Sequence, residues 1–429
     1  MVALLILIAG SVLAYALVSR RLASTIVTAP IFFAAVGLLA GPVLHLVDLG
    51  AHDQGLILLL EAALVMVLFT DSSGLDVRRW TEEPALSGRL LGIGLPLTMV
   101  LGAVVAAVVF AGIAPWQAAL IGIMLAPTDA ALGQAVVANP RVPAVVRNAL
   151  NVESGLNDGL ALPVLTIFIA VGLVAGGAES DLHAAQTLVL ALGGSTVVGI
   201  VAGVGGGWLI RAAAQRGFAA ARWQAIALVA LAVGTFLVAD EVKASGFLAV
   251  WVAGLSAGAV VRGRVDDDAF HLSEEAADAL TAIGFLLVGA GLIVPALGRA
   301  TPEMLVYAVL SLTVIRIVPV AIAMARTGFA VPTVAYVGWF GPRGLASVVF
   351  AGVVVANAVP GAGGLTDVVI LTVALSLLVH GVSAAWGARR YAAWFERAAA
   401  ADPGIPEASE VPETGVYGRV SPRGGVHVE

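Results

Sequence analysis

Thirteen runs of roughly twenty apolar residues follow one another along this chain, and a soluble fold has no place for them. They cover residues 2–19, 25–44, 55–74, 90–112, 115–138, 145–176, 184–210, 223–240, 244–261, 277–298, 302–325, 332–357 and 365–388. Inside a bilayer every backbone N–H and C=O must find its partner within the protein, so runs of this length fold as helices. The composition agrees, with 60% hydrophobic and 12% charged residues, where a soluble domain carries about 25% charge. The expected fold is therefore all-α, a polytopic membrane protein of about thirteen transmembrane helices. The first run has no basic leader and is followed by Arg20 and Arg21, which predicts a retained helix rather than a cleaved signal.

The loops between these runs alternate in charge. Sixteen arginines fall in every second loop or just past the last run, from Arg20 and Arg21 through Arg78, Arg79 and Arg264 to Arg389, Arg390 and Arg397. The other loops hold only Lys243 and Arg299. Positive loops stay in the cytoplasm, so the N-terminus is expected outside and the C-terminus inside. The membrane domain is expected to span 1–398, and residues 399–429, rich in Pro, Gly and Glu, read as a disordered cytoplasmic tail. With no cysteine, disulfides and thiolate-bound metals are excluded. The net charge of -6 argues against a nucleic-acid partner.

A charge near the bilayer centre costs a few kcal/mol, so charges left within the runs must face a cavity or a partner. Glu61, Asp71, Asp129, Glu153, Asp158, Arg316 and Arg343 are the candidates. The densest stretch is Asn151-Val152-Glu153-Ser154-Gly155-Leu156-Asn157-Asp158. On a helix Glu153 and Asn157 share one face, and Ser154 and Asp158 the next. Polar glue between helices is the plain alternative, but glue does not require two carboxylates so close together. Asp71 reads either as a site residue or as an interfacial one near Arg78 and Arg79. Glu61 stands alone and suits an ion contact or an interhelical hydrogen bond. Asp48, Asp240, Glu241, Asp278 and Asp367 lie near span ends and are expected to be solvated. His380 has no companion histidine, which argues against a metal site.

Two runs carry helix breakers. The fifth contains Ala126-Pro127-Thr128-Asp129-Ala130 and the twelfth Gly338-Trp339-Phe340-Gly341-Pro342-Arg343-Gly344. Proline removes a helical hydrogen bond, and mid-membrane the exposed peptide groups are tolerated only where they line a cavity or are buried in protein. Interrupted spans at matching places in two halves mark an inverted repeat with a small-ion site between them. A buried guanidinium needs a carboxylate, and Glu153 is the first choice for Arg316. Arg343 suits the carbonyl ends of facing half-helices.

Taken together, Thr128-Asp129 in a broken helix, the Glu153–Asp158 string ESGLND and the downstream GPRG resemble the monovalent cation:proton antiporter family. The likeness is greatest to the NhaP-type sodium/proton exchangers and covers roughly residues 1–390. It implies two discontinuous helices that cross, a mobile core around helices four to six and eleven to thirteen, and a dimer scaffold from the rest. It implies that Asp158 alternately holds a proton or the cation, with Asn157 as companion. Thr128, Ser154, Asp129 and Asp71 would complete the cation site, with Na+ at Asp158, Thr128 and Ser154. Glu153 and Arg316, with Arg343 nearby, resemble the buried ion pair. Asn157 in place of a second aspartate implies electroneutral exchange.

The expected activity is secondary antiport of a monovalent cation, Na+ or Li+, for H+ at the cell membrane, serving sodium transport and pH homeostasis. It needs no cofactor and no enzymatic step, and a homodimer is implied. A K+/H+ antiporter shares the chemistry, because oxygen ligands suit any hard cation. An intramembrane aspartyl protease could use Asp129 and Asp158, but it leaves Asn157 and Glu153 without a role. A TVGYG-like filter and a Walker motif are both missing from the sequence, which disfavours a potassium channel and an ATP-driven pump.

Overall fold

The computed structural model describes residues 2–22, 25–47, 49, 54–75, 85–129, 131–133, 139–178, 180–263 and 268–409. Asp48, Arg78, Arg79, Ala130, Arg264 and the tail from 410 lie outside the described residues. Each apolar run forms a helix or a broken helix. These are α1 (Val2–Leu22), α2 (Ala29–Leu38), α3 (Gln54–Gly74), α4 (Leu95–Val109), α5 (Pro115–Met124), α6 (Ala144–Ala175) and α7 (Ser195–Gln215). They continue with α8 (Ala221–Glu241), α9 (Gly246–Val261), α10 (Asp268–Gly291) and α11 (Pro302–Leu312 and Val314–Ala323, bent at Thr313). The twelfth is split into α12a (Val331–Trp339) and α12b (Leu345–Ala356), and α13 runs over Ala362–Ala401.

The helices pack most densely in two sets. In the first, comprising α1–α3 and α7–α10, small residues allow backbones to touch, because hydrophobicity alone does not hold helices together in lipid. Gly199, Gly203 and Gly207 seat α7 on Ala249, Ala253 and Ala257 of α9. Gly37 of α2 and Gly41 in the turn of helix that follows it (Leu39–Val43) sit on Leu286 and Ala290 of α10 in the same way. The second set comprises α4–α6 and α11–α13. There Gly102 of α4 meets Gly122 of α5, and the Tyr307 hydroxyl of α11 donates to the Gly102 carbonyl at 3.1 Å. The sets meet where α6 passes α3 and α9, and where α12b passes α3 and α10.

Helix ends show how the terminal charges are used. Arg89 donates to the carbonyls of Ala323 (2.5 Å) and Ala325 (2.8 Å) at the end of α11. Arg262 does the same for Ser73 (2.8 Å), Gly74 (3.1 Å) and Leu75 (2.5 Å) at the end of α3. A guanidinium suits this position because the unpaired carbonyls there carry partial negative charge. Asp367 departs from the solvated role expected of it. It is 5% exposed and accepts two hydrogen bonds of 2.7 Å from Arg299.

The start of the expected disordered tail is also ordered. Helix α13 continues to Ala401, and the chain turns back through a short 3-10 helix at Pro406–Ala408. Glu407 is 2% exposed and accepts from the Ala330 N–H (2.9 Å) and the Thr333 hydroxyl (2.5 Å). Ala330 has no side chain that could cap α12a, so a carboxylate from the C-terminal segment caps it instead.

Candidate functional site

The two breaks cross. Pro127 and Pro342 lack the N–H that a continuous helix needs, and α5 stops at Met124 while α12a stops at Trp339. The Asp129 N–H donates to the Pro342 carbonyl at 2.8 Å, which ties one break to the other. Both carboxylate oxygens of Asp129 accept backbone N–H groups. Oδ1 takes Ala131 (2.8 Å) and Leu132 (3.2 Å) of its own resumed helix, and Oδ2 takes Leu345 (2.9 Å) at the start of α12b. One aspartate thus caps two half-helix N-termini, where negative charge is favoured. Gly344 makes room for it, since a Cβ there would overlap the carboxylate.

Arg343 provides the opposite charge. Its Nη1 donates to the carbonyls of Ala126 (2.5 Å) and Pro127 (3.1 Å), which the first break strips of helical partners. Arg343 is fully buried. Each break therefore supplies the charge that the peptide dipoles of the other require.

Helix α6 brings its polar stretch against this crossing. Glu153 and Arg316, each 2% exposed, form a bidentate ion pair, with Arg316 Nη1 on Oε1 and Nη2 on Oε2, the latter at 2.8 Å. A Cβ on Gly341 would overlap the Arg316 guanidinium. One face along, the hydroxyls of Thr128 and Ser154 lie 3.1 Å apart, and Asn157 Nδ2 donates to Thr128 Oγ1 at 2.7 Å. Asp158 follows, 6% exposed. Its Oδ1, like Oδ1 of Asn157, is buried with no hydrogen-bond partner among the described residues. The Asp71 side chain packs opposite Gly155, three residues and nearly one turn before Asp158 in α6, and both Asp71 and Asp129 lie within electrostatic reach of Asp158.

The structure therefore brings Thr128, Asp129, Glu153, Ser154, Asn157, Asp158, Arg316 and Arg343 to one crossing, with Asp71 at its edge. It does not bring Glu61 there. That residue lies ten positions before Asp71 on α3, ~15 Å along the helix, within electrostatic reach of Asp240.

Sequence reasoning passed over two other contributions. Trp251 of α9 lays its indole on Gly159, next to Asp158, where any Cβ would overlap the ring. Beside it Leu91, Val152 and Leu156 form an apolar cluster with Leu75 and Leu255. This cluster lies on the side of Asp158 toward the start of α6. The pair Ser376 and His380 of α13 contacts the backbone on both sides of the second break. An i, i+4 pair of polar residues in an apolar run was the one signal available for it.

The chain belongs to the sodium/hydrogen exchanger family, matching the family described as "Sodium/hydrogen exchanger, transmembrane" over residues 6–389. It is thus a multi-pass membrane protein of a transporter family, not an enzyme. It is 27% identical over 395 residues to the K(+)/H(+) antiporter NhaP2 of Shewanella sp. (strain MR-4), covering 87% of this chain and 63% of that protein. It is 26% identical over 409 residues to the K(+)/H(+) antiporter NhaP of Alkalimonas amylolytica, covering 92% and 67%. The chain therefore spans 63% of the length of the Shewanella relative. Among solved structures, the sodium proton antiporter MjNhaP1 from Methanocaldococcus jannaschii at pH 8 superposes with a TM-score of 0.68. The identity is 18%, over 91% of this chain and 97% of that one. At that identity the likeness establishes the fold, a helical bundle with many apolar spans.

Proposed function

We propose that this chain exchanges one monovalent cation for one proton across the cell membrane, with Na+ as the first reading. The observation that carries this is the charge balance at the crossing. Glu153 is neutralised by Arg316. Asp129 is engaged by three backbone N–H groups, and Arg343 by two carbonyls. Asp158 keeps a buried oxygen with no hydrogen-bond partner among the described residues, near the oxygens of Thr128, Ser154 and Asn157.

An ionised carboxylate in such a place is costly unless its charge is removed. A proton removes it, and so does a hard cation with oxygen ligands. The two compete for one group, and the bare charged carrier is penalised in crossing the membrane. Exchange follows from that competition. Thr128 and Ser154 would supply cation oxygens beside Asp158, and Asp71 would reach the site from α3. Asp129, with both oxygens on N–H groups, would act through its charge and its hold on the half-helices. With Glu153 paired and Asn157 uncharged, Asp158 is the carboxylate of α6 left to carry a charge, which supports a 1:1 electroneutral exchange.

The two packing sets support alternating access, in which α4–α6 and α11–α13 move against a dimeric scaffold of the other helices. The arginine-rich loops support a cytoplasmic C-terminus. The apolar cluster at Leu91, Val152 and Leu156 then lies on the cytoplasmic side of Asp158. A second reading, K+/H+ exchange, is favoured by the Shewanella and Alkalimonas relatives.

Purified protein in liposomes with an internal pH dye tests this. Addition of Na+, Li+ or K+ outside should drive proton efflux, and Asp158→Asn should abolish it. Which cation drives it decides between the two readings. Exchange that survives Asp158→Asn refutes the central role of that carboxylate. Initial rates that change with an imposed membrane potential refute electroneutrality.

A further inference from the structure

In a continuous helix the Arg343 N–H would donate to the Trp339 carbonyl, four residues back. The break at Gly341-Pro342 removes that bond inside the protein, where an unpaired peptide group costs about 1–3 kcal/mol. The Trp339 carbonyl still accepts the Gly341 N–H at 2.9 Å, so the Arg343 N–H is the group left without its helical acceptor. Helix α13 replaces it from the side. The Arg343 N–H donates to Ser376 Oγ at 2.7 Å, and His380 Nε2 lies 3.0 Å from the Trp339 carbonyl. Ser376 Oγ lies 3.2 Å from His380 Nδ1, which closes the path between them. Both residues are buried, at 0% and 1% exposure.

The donors and acceptors assign the protons. His380 faces two carbonyls, which only accept: Nε2 lies 3.0 Å from that of Trp339 and Nδ1 3.3 Å from that of Ser376, and the shorter contact places the hydrogen on Nε2. Nδ1 of the neutral ring then accepts from the Ser376 hydroxyl, whose oxygen in turn accepts the Arg343 N–H. The path Arg343 N–H to Ser376 to His380, and from His380 to Trp339, thus stands in for one missing helical hydrogen bond. It fixes the unwound segment on α13 without rebuilding the helix.

That segment carries the Arg343 side chain, which holds the carbonyls of Ala126 and Pro127. Those residues lead directly into Thr128, whose hydroxyl faces Ser154 and Asn157. We infer that Ser376 and His380 are positioning residues for the cation oxygens, acting through Arg343 although they touch no ion themselves. The inference rests on the exchange reading. A cation needs several oxygens at set distances in place of its water, whereas a proton needs one carboxylate oxygen. Loosening this support therefore weakens cation binding more than protonation.

The experiment measures exchange in liposomes against cation concentration for Ser376→Ala, His380→Ala, His380→Asn and His380→Gln. Loss of one such buried hydrogen bond corresponds to a rise of about 5- to 10-fold in the cation KM. The maximal rate should stay within about twofold, a split that mere loss of folded protein would not produce. His380→Gln keeps an N–H at comparable reach and should restore a near-native KM, while the shorter Asn should not. Hydrogen exchange in residues 338–345 should quicken in the alanine and Asn variants and not in His380→Gln. An unchanged KM in active Ala and Asn variants, or a Gln variant no better than Ala, overturns the inference. Unchanged hydrogen exchange over 338–345 overturns it whatever transport does. A wild-type protein that moves no protons in response to any cation refutes the exchange reading instead.

Discussion

Glu153 and Arg316 stand 163 residues apart in sequence and meet in a bidentate ion pair closed off from solvent and lipid. Removal of either partner leaves the other charge buried and uncompensated. Arg316→Gln or Glu153→Gln alone should lower stability by about 3–5 kcal/mol, and the double variant should lose less than the sum. Thermal unfolding in detergent measures this. Additive losses would show that the two side chains do not depend on each other.

Thr128 accepts from Asn157 and faces Ser154, so its hydroxyl organises three oxygens beside Asp158. Thr128→Val keeps the shape and removes that oxygen. The Asn157 amide then loses its acceptor, at about 1–3 kcal/mol. The cation KM in the liposome assay should rise by about tenfold or more. A native KM would remove Thr128 from the site.

Gly159 of α6 packs against the Trp251 indole of α9 where the two packing sets meet near Asp158. Gly159→Ala drives a methyl into the indole, an overpacking that costs about 1–3 kcal/mol. Melting temperature and exchange rate should both fall. Trp251→Leu in the same chain opens the space and should restore stability. Failure of that rescue would mean that the methyl meets something other than the ring.

Glu407 caps α12a from a segment expected to be mobile. Glu407→Ala leaves the Ala330 N–H short of an acceptor and the Thr333 hydroxyl with only its Tyr391 partner at 3.0 Å, at about 1–2 kcal/mol. The melting temperature should fall, and a chain ending at Ala401 should fall by a similar amount. A truncated chain as stable as the full one would show that the cap contributes nothing.

The helices and both breaks were legible because apolar length and proline act locally. Pro127 and Pro342 break their helices through a missing N–H that needs no tertiary context. The partner of Arg316 could be named because few carboxylates lie deep in the runs. The double capping by Asp129 could not, since one oxygen serves a helix that begins at Leu345. Ser376 and His380 were hidden for the same reason. Their partners are backbone groups, which look alike in every sequence. Asp367 was misjudged by position alone, because an exposed arginine, Arg299, pairs with it at the span end while the carboxylate itself is buried. The segment through Glu407 has a polar, proline-containing composition typical of tails, and one buried carboxylate is enough to dock it.

The crossing also sets an order of assembly. Asp129 and Leu345 are 216 residues apart, and Arg343 reaches back 217 residues to Ala126. As the chain is made, the first break enters the membrane long before the second has been synthesised. Until then the carbonyls of Ala126 and Pro127 lack Arg343, and Asp129 lacks one of the helix starts it caps. The crossing therefore cannot be completed by any fragment that stops short of the twelfth helix.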